Sequence, residues 1–293
     1  MTYRPRRSVL FMPASNARAL EKAKSLKADA IVFDLEDSVG PDDKDMARQQ
    51  ACDAVRSGEY GIRELIIRVN DYHSEGGQQD IMAAVQAGAD AVLVPKVDDA
   101  HDVVNLSQLM EDEGAAPDMK LWVMMETPKA IIHANDIAKA SMDEGSRLSC
   151  FVLGTNDLAK ATGAAMVSDR WTMMSWLQSC VVAAKAYDLN ILDSVFNNFS
   201  DQEAFRAECE QGLALGMDGK TLIHPSQIDT ANAVFAPADD EVEWSRKVLA
   251  AFEVPENEGK GVISVEGKMV ERLHAEMARR VVDMAETIEK MQC

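Results

Sequence analysis

Eight short runs rich in apolar, often β-branched residues recur along the chain, and between them lie stretches with helical spacing. The runs are SVLFMP (8–13), AIVFDL (30–35), ELIIRVN (64–70), AVLVPKV (91–97), LWVMME (121–126), CFVLGT (150–155), NILDSVF (190–196) and KTLIHP (220–225). Runs of this length and composition read as strands. The segments between them are too long for hairpins and carry helix patterns. GGQQDIMAAVQAGA, for example, sets Ile81 and Val85 at helical spacing with the small Ala84 and Gly88. Strands joined through helices run parallel. Eight such βα units in about 230 residues match the arithmetic of a (β/α)8 TIM barrel. An open doubly wound sheet is the competing α/β architecture. It usually has fewer strands and a glycine-rich first turn, whereas the first turn here, MPASNARAL, has no G-x-G-x-x-G.

The pattern changes after residue 234. FAPADDEVEWSRKVLAAFE predicts a helix, VPENEGKGVIS a loop, and EGKMVERLHAEMARRVVDMAETIEKM a long final helix. The expected organisation is therefore a catalytic barrel over 1–234 and a C-terminal helical extension over 235–293. Such an extension can cover a barrel mouth, its own or a neighbouring subunit's.

Charge narrows the partners. A formal net charge of −19 argues against nucleic acid, whose binding is dominated by phosphate contacts. The exception is the N-terminus, where Arg4, Arg6, Arg7, Arg18, Lys22, Lys24 and Lys27 face a single acid, Glu21. A patch of that kind suits a compact polyanion, and a solvated helix face explains it equally well. No apolar run reaches the 18 residues of a membrane span. The basic, briefly apolar start MTYRPRRSVLFMPAS is cut by Pro13, so it is not expected to be a signal peptide. Five cysteines (52, 150, 180, 209 and 293) form no C-x-x-C pair, which predicts reduced thiols and a cytoplasmic location.

In TIM barrels the active site lies at the C-terminal ends of the strands, so the strand list is also a site list. Strand two ends at Asp34, Glu36 and Asp37, strand three at Arg68 and Asn70, and strand four at Lys96. Strand five ends at Glu126, strand six at Asn156 and Asp157, strand seven at Asp193, and strand eight at His224. Glu126 and Asp157 follow strongly apolar runs on neighbouring strands. Two such carboxylates can hold one Mg2+, a hard cation that keeps positions open for substrate. As exposed acids they could instead cap the helices that follow. Arg68 can grip a carboxylate or an enolate oxygen through two parallel hydrogen bonds, or form a structural ion pair with the DLED acids. His224 reads first as a packed or capping histidine and second as a catalyst.

Seven motifs in order, RRSVLFMPASNARALEKA, AIVFDLEDSV, IIRVN, VPKV, METPKAI, LGTNDLA and LIHPSQI, resemble the citrate lyase beta-subunit and malyl-CoA lyase family. The resemblance spans about residues 6–234, with a weaker echo at EGKMVE, and is nearest to short bacterial malyl-CoA-type members, thioesterases included. It implies a CoA-thioester enzyme with Mg2+ held by Glu126 and Asp157, and Arg68 on the substrate. It places Ser15, Asn16, Arg18 and Lys22 in the CoA-binding region, and Lys96 joins them as an expected substrate contact. Asp37 is expected to act in catalysis by orienting Arg68 or the metal. The implied reaction is retro-Claisen cleavage of malyl-CoA, or a close 3-hydroxyacyl-CoA, to a 2-oxo acid and acetyl-CoA. Hydrolysis of (3S)-malyl-CoA to malate and CoA is the alternative, and a subunit role in a larger citrate-lyase-like complex ranks third. The family's acid/base, an Asp lent by an adjacent subunit, is replaced here by Glu271. That change alters the reach of proton transfer by one methylene and leaves room for the thioesterase. A shared lid implies a homo-oligomer, a trimer or hexamer.

Overall fold

The eight apolar runs all form strands: β1 (Ser8–Pro13), β2 (Ala30–Asp34), β3 (Glu64–Arg68), β4 (Ala91–Val94), β5 (Lys120–Met125), β6 (Leu148–Leu153), β7 (Asn190–Asp193) and β8 (Gly219–Leu222). They were located in a computed structural model that describes residues 4–257 and 259–292. The strands pair in sequence order, all parallel, and β8 closes onto β1 to complete a barrel surrounded by helices. This is the predicted (β/α)8 TIM barrel.

Strand periodicity fills the interior. Val9, Ala30, Val32, Ile66, Ala91, Leu93, Trp122, Met124, Cys150, Val152 and Leu192 form one apolar cluster, with Phe11 packed against it. Because side chains alternate across a strand, residues two steps from these also point inward. At the N-terminal end that residue is Glu64, which Arg6 grips through Nε and Nη2 at 2.7 Å each while lying 4.5 Å over the Trp122 ring. At the C-terminal end the same parity delivers Asp34 after Val32, Arg68 after Ile66 and Glu126 after Met124. The barrel is thus an apolar plug with a structural ion pair beneath it and a charged layer on top.

The strands end earlier than the sequence suggests. Hydrogen-bonded pairing stops at Asp34, Arg68, Val94, Met125, Leu153, Asp193 and Leu222, so Lys96, Asn156, Asp157 and His224 belong to loops or helix starts. In β4 the cause is Pro95, which has no N–H to continue a ladder. Asp193 is a correction to the strand-end reading. It has the opposite parity to Leu192 and is fully buried outside the barrel, bonded to Arg170 and Lys220. His224 takes the capping role, accepting from the Ser226 N–H and stacking on Phe199 at 4.4 Å.

The chain separates into two compact units, Arg6–Val234 and a second that groups the residues before Arg6 with those from Phe235 onward. The second contains helices Asp239–Glu253 and Arg272–Gln292. Between them lies a hairpin, β9 (Val262–Val265) with β10 (Lys268–Glu271), where a loop and a helix start were expected. Its turn residues Glu266 and Gly267 have φ of 48° and 79°, as a two-residue type I′ hairpin requires. Ile263, Val265 and Val270 pack with Val248 and Ala278 into that unit's own core. Among the described residues no helix is long and apolar enough to cross a membrane. Cys52, Cys150, Cys180 and Cys209 are free and buried, and Cys293 lies outside the described residues.

Candidate active site

Arg68 anchors the mouth. It is buried, and its Nε and Nη2 donate to Asp34 Oδ1 and Oδ2 at 2.6 and 2.7 Å. Strand register makes the pair, since Asp34 and Arg68 are direct partners across β2 and β3. Nη1 lies 2.9 Å from Glu36 Oε2 and 3.8 Å from Asp37 Oδ2, and the guanidinium sits 4.9 Å over the Phe11 ring. Burial works to raise the Asp34 pKa, but the hydrogen bond and charge of Arg68, with help from Ser38 and the Glu36 N–H, hold it below the usual range. Arg68 is therefore always cationic, and one edge of its fork is already fixed.

Opposite it, Glu126 is buried, with Oε1 accepting the Lys96 N–H at 2.9 Å. Burial first, then the charges of Glu36 and Asp157, push its pKa to about 8. Gly154 makes room for it, because an added Cβ there would lie 2.5 Å from Glu126 Cβ and 2.7 Å from Oε2. Asp157 is half-buried in the first turn of helix Thr155–Thr162. Neither acid is a cap. Gly154 precedes that helix without a side-chain cap, and Thr127, not Glu126, caps helix Pro128–Ile132. The capping explanation of these two acids thus fails.

Arg68, Asp34, Asp37, Glu126 and Asp157 line one cavity of about 360 Å3, walled on its apolar side by Phe11, Met124, Leu153 and Val195. Among the described residues no group of three or more His, Cys, Asp or Glu side chains is arranged to hold a metal. The Glu126–Asp157 pair still fits a hard divalent cation. Burial and like charge leave Glu126 short of positive charge, and Mg2+ completes its shell with water and ligand oxygens.

Other expected residues lie around this cavity. Asp37 is exposed on its wall, so the acid that orients Arg68 most closely is Asp34, with Glu36 behind it. Glu36, buried like Asp34, has its pKa raised, by burial above all. Lys96 donates from Nζ to Glu36 Oε1 at 3.0 Å. Ser15, Asn16, Arg18 and Lys22 follow β1 at the same end of the barrel. Asn16 caps helix Ala17–Ala23 by accepting from the Ala19 N–H, and Arg18 and Lys22 are exposed. Arg6 and Arg7 do not belong to a basic patch. Both are buried, paired with Glu64 and Asp29, and Lys24 is paired with Glu21 and Glu59. Glu271 lies in the C-terminal unit, exposed, its N–H donating to His274 Nδ1 at 2.9 Å.

Sequence reasoning placed Asp34 and Glu36 behind Asp37 and missed Gly154. The two-residue period from Val32 to Asp34 was the available signal, as was a glycine directly after an apolar strand.

A closed barrel with a fixed arginine set opposite the Glu126–Asp157 acid pair at its mouth has the architecture of a TIM-barrel enzyme. The sequence pattern of the HpcH/HpaI aldolase/citrate lyase family matches residues 7–225, and the chain belongs to that family. It is 47% identical to the (3S)-malyl-CoA thioesterase of Cereibacter sphaeroides, over 97% of this chain and 96% of that protein. It is 36% identical to the citrate lyase subunit beta of Escherichia coli K12, over 97% and 94%. Among solved structures it resembles CitE of Mycobacterium tuberculosis, determined in complex with magnesium, acetoacetate and coenzyme A. The TM-score is 0.71 and the identity 26%, with 96% of this chain and 99% of that one covered.

Proposed function

We propose that the protein is a Mg2+-dependent thioester hydrolase that releases malate and CoA from (3S)-malyl-CoA. The observation that carries this reading is the 47% identity, nearly end to end, with (3S)-malyl-CoA thioesterase. It reverses the order expected from the motifs, which put carbon–carbon cleavage first. The site is compatible with the hydrolase.

Glu126 and Asp157 would hold the Mg2+, which when bound supplies Lewis-acid polarisation of a substrate oxygen and neutralises local negative charge. Arg68, with its Nε–Nη2 edge closed by Asp34 and one side of Nη1 facing Glu36, keeps the second hydrogens of Nη1 and Nη2 for the acyl carboxylate. Phe11, Met124, Leu153 and Val195 shield the acyl carbons. Asp37, exposed on the wall, would take a proton from the water that attacks the thioester carbonyl. The C–S bond then breaks, and the proton ends on the CoA thiol. Ser15, Asn16, Arg18 and Lys22 supply polar and cationic contacts for the CoA phosphates at the same end of the barrel. A homo-oligomer, trimer or hexamer, and a reducing cytoplasm fit the family and the buried free thiols.

The second reading, retro-Claisen cleavage with Glu271 offered by a neighbouring subunit as acid/base, is supported by citrate lyase relatives. Its weakness is geometric, since a shift of about 1 Å in a catalytic group can cost a hundredfold. The test is Mg2+-dependent release of CoA thiol from (3S)-malyl-CoA by wild type and Glu126→Ala. The proposal expects thiol release that EDTA and the substitution both abolish. Full activity in Glu126→Ala would sink the metal assignment.

A further inference from the structure

Lys96 has the least expected backbone in the mouth. Its φ is +55°, a left-handed conformation that strains a non-glycine residue. Such an outlier persists only where its surroundings fix it, and here they fix it at two points. The inverted backbone turns the Lys96 N–H onto Glu126 Oε1 at 2.9 Å. The side chain runs the other way, to Glu36 Oε1 at 3.0 Å. The second oxygen of Glu36 is buried with no hydrogen-bond partner and lies 2.9 Å from Arg68 Nη1. Lys96 therefore touches both halves of the site, the cation-holding Glu126 by its backbone and the anion-holding Arg68 through Glu36. Yet neither Lys96 nor Glu36 lines the cavity.

We infer that Lys96 is a positioning residue rather than a ligand of the CoA phosphates: its ammonium holds Glu36 as a brace that aims Arg68 at the acyl carboxylate. The inference rests on the proposed malyl-CoA site. The mechanism is steric and electrostatic. Asp34 fixes the Nε–Nη2 edge of the guanidinium, and the carboxylate nearest its Nη1 end is Glu36, at 2.9 Å against 3.8 Å for Asp37. A buried carboxylate shared with a second cation stays in place. Left with Arg68 alone, it draws Nη1 toward itself and away from the cavity. The left-handed turn lets one residue serve Glu126 and Glu36 at once, since a right-handed residue there would send both groups elsewhere.

Calorimetric titration of Lys96→Met, Lys96→Arg, Glu36→Gln and the Lys96→Met/Glu36→Gln double variant tests this. Each is titrated separately with L-malate in the presence of Mg2+ and with free CoA. Lys96→Met and Glu36→Gln are each expected to weaken malate binding about tenfold, the scale of one lost charge-assisted contact, while CoA affinity stays within about twofold of wild type. The double variant is expected to match either single one, because both act through the same brace, and Lys96→Arg to restore malate binding. Weakened CoA with unchanged malate would make Lys96 a phosphate ligand and overturn the inference. Multiplied losses in the double variant would make Lys96 a direct contact and overturn it too. These are equilibrium measurements without turnover. Failure of the hydrolase reading would appear separately, as a wild-type enzyme that leaves malyl-CoA intact.

Discussion

Replacing Glu126 with glutamine should make the metal-free protein more stable, and increasingly so as the pH rises. Glutamine keeps an oxygen for the Lys96 N–H but cannot ionise. The wild-type carboxyl, ordinarily near 4.5, is pushed to about 8 in the fold by burial and by the charges of Glu36 and Asp157. Between those two values the folded state holds a proton that the unfolded chain has released, so stability falls as pH rises through that window. At pH 5 the penalty is under about 1 kcal/mol, whereas at pH 8 the unfolded carboxyl is ionised about 3,000 to 1 and the folded one about 1 to 1. That difference corresponds to roughly 4 kcal/mol at pH 8. At about 2–4 °C per kcal/mol for a chain somewhat smaller than this, the stability advantage of the variant should grow by several degrees from pH 5 to pH 8. Differential scanning calorimetry in EDTA at pH 5, 6, 7 and 8 measures it. Adding Mg2+ at pH 8 should raise the wild-type Tm and leave the variant unmoved. A stability difference that is flat across pH, or a variant less stable at pH 8, would refute the assignment of Glu126 as an uncompensated buried acid.

Other perturbations follow from single contacts. Arg68→Lys cannot reproduce the two-pronged bond to Asp34, and kcat/KM for malyl-CoA should fall at least about a hundredfold, measured by thiol release. Gly154→Ala drives a Cβ into Glu126 and should weaken Mg2+ binding by calorimetry while the far-ultraviolet circular dichroism stays unchanged. Lys220→Met takes from the buried Asp193 one of its two cationic partners, Arg170 being the other, which should cost about 3–5 kcal/mol in chemical denaturation. In a Cys293→Ser variant no thiol should react with Ellman's reagent before unfolding. Cys52, Cys150, Cys180 and Cys209 are all buried, and burial pushes the thiols of Cys180 and Cys209 up to about 12.

The barrel was legible because its information is local. Eight apolar runs separated by helical patterns leave few ways to fold, and a single two-residue period places Arg68 and Glu126 inside. The same rule explains what was misplaced. Asp193 looked like a site residue until its parity against Leu192 put it outside the barrel. Asp37 outranked Asp34 on motif grounds, although Asp34 continues the inward series from Val32 and meets Arg68 in register. Arg6 and Arg7 read as a patch because their partners, Glu64 and Asp29, are distant in sequence and only the pairing of β1, β2 and β3 in the barrel brings them together. The left-handed turn at Lys96 had no composition signal beyond Pro95 before it. The β9–β10 hairpin carried one, alternating apolar residues around Glu266–Gly267, that a helix pattern running on from it obscured.

The central claim is that this mouth hydrolyses a thioester rather than cleaving a carbon–carbon bond. The most direct measurement is a full product balance on (3S)-malyl-CoA with Mg2+, quantifying malate, CoA, glyoxylate and acetyl-CoA in one reaction by liquid chromatography. Malate and CoA in equal amounts, absent with EDTA, are the predicted result. Glyoxylate and acetyl-CoA as the main products would contradict it and return the site to lyase chemistry.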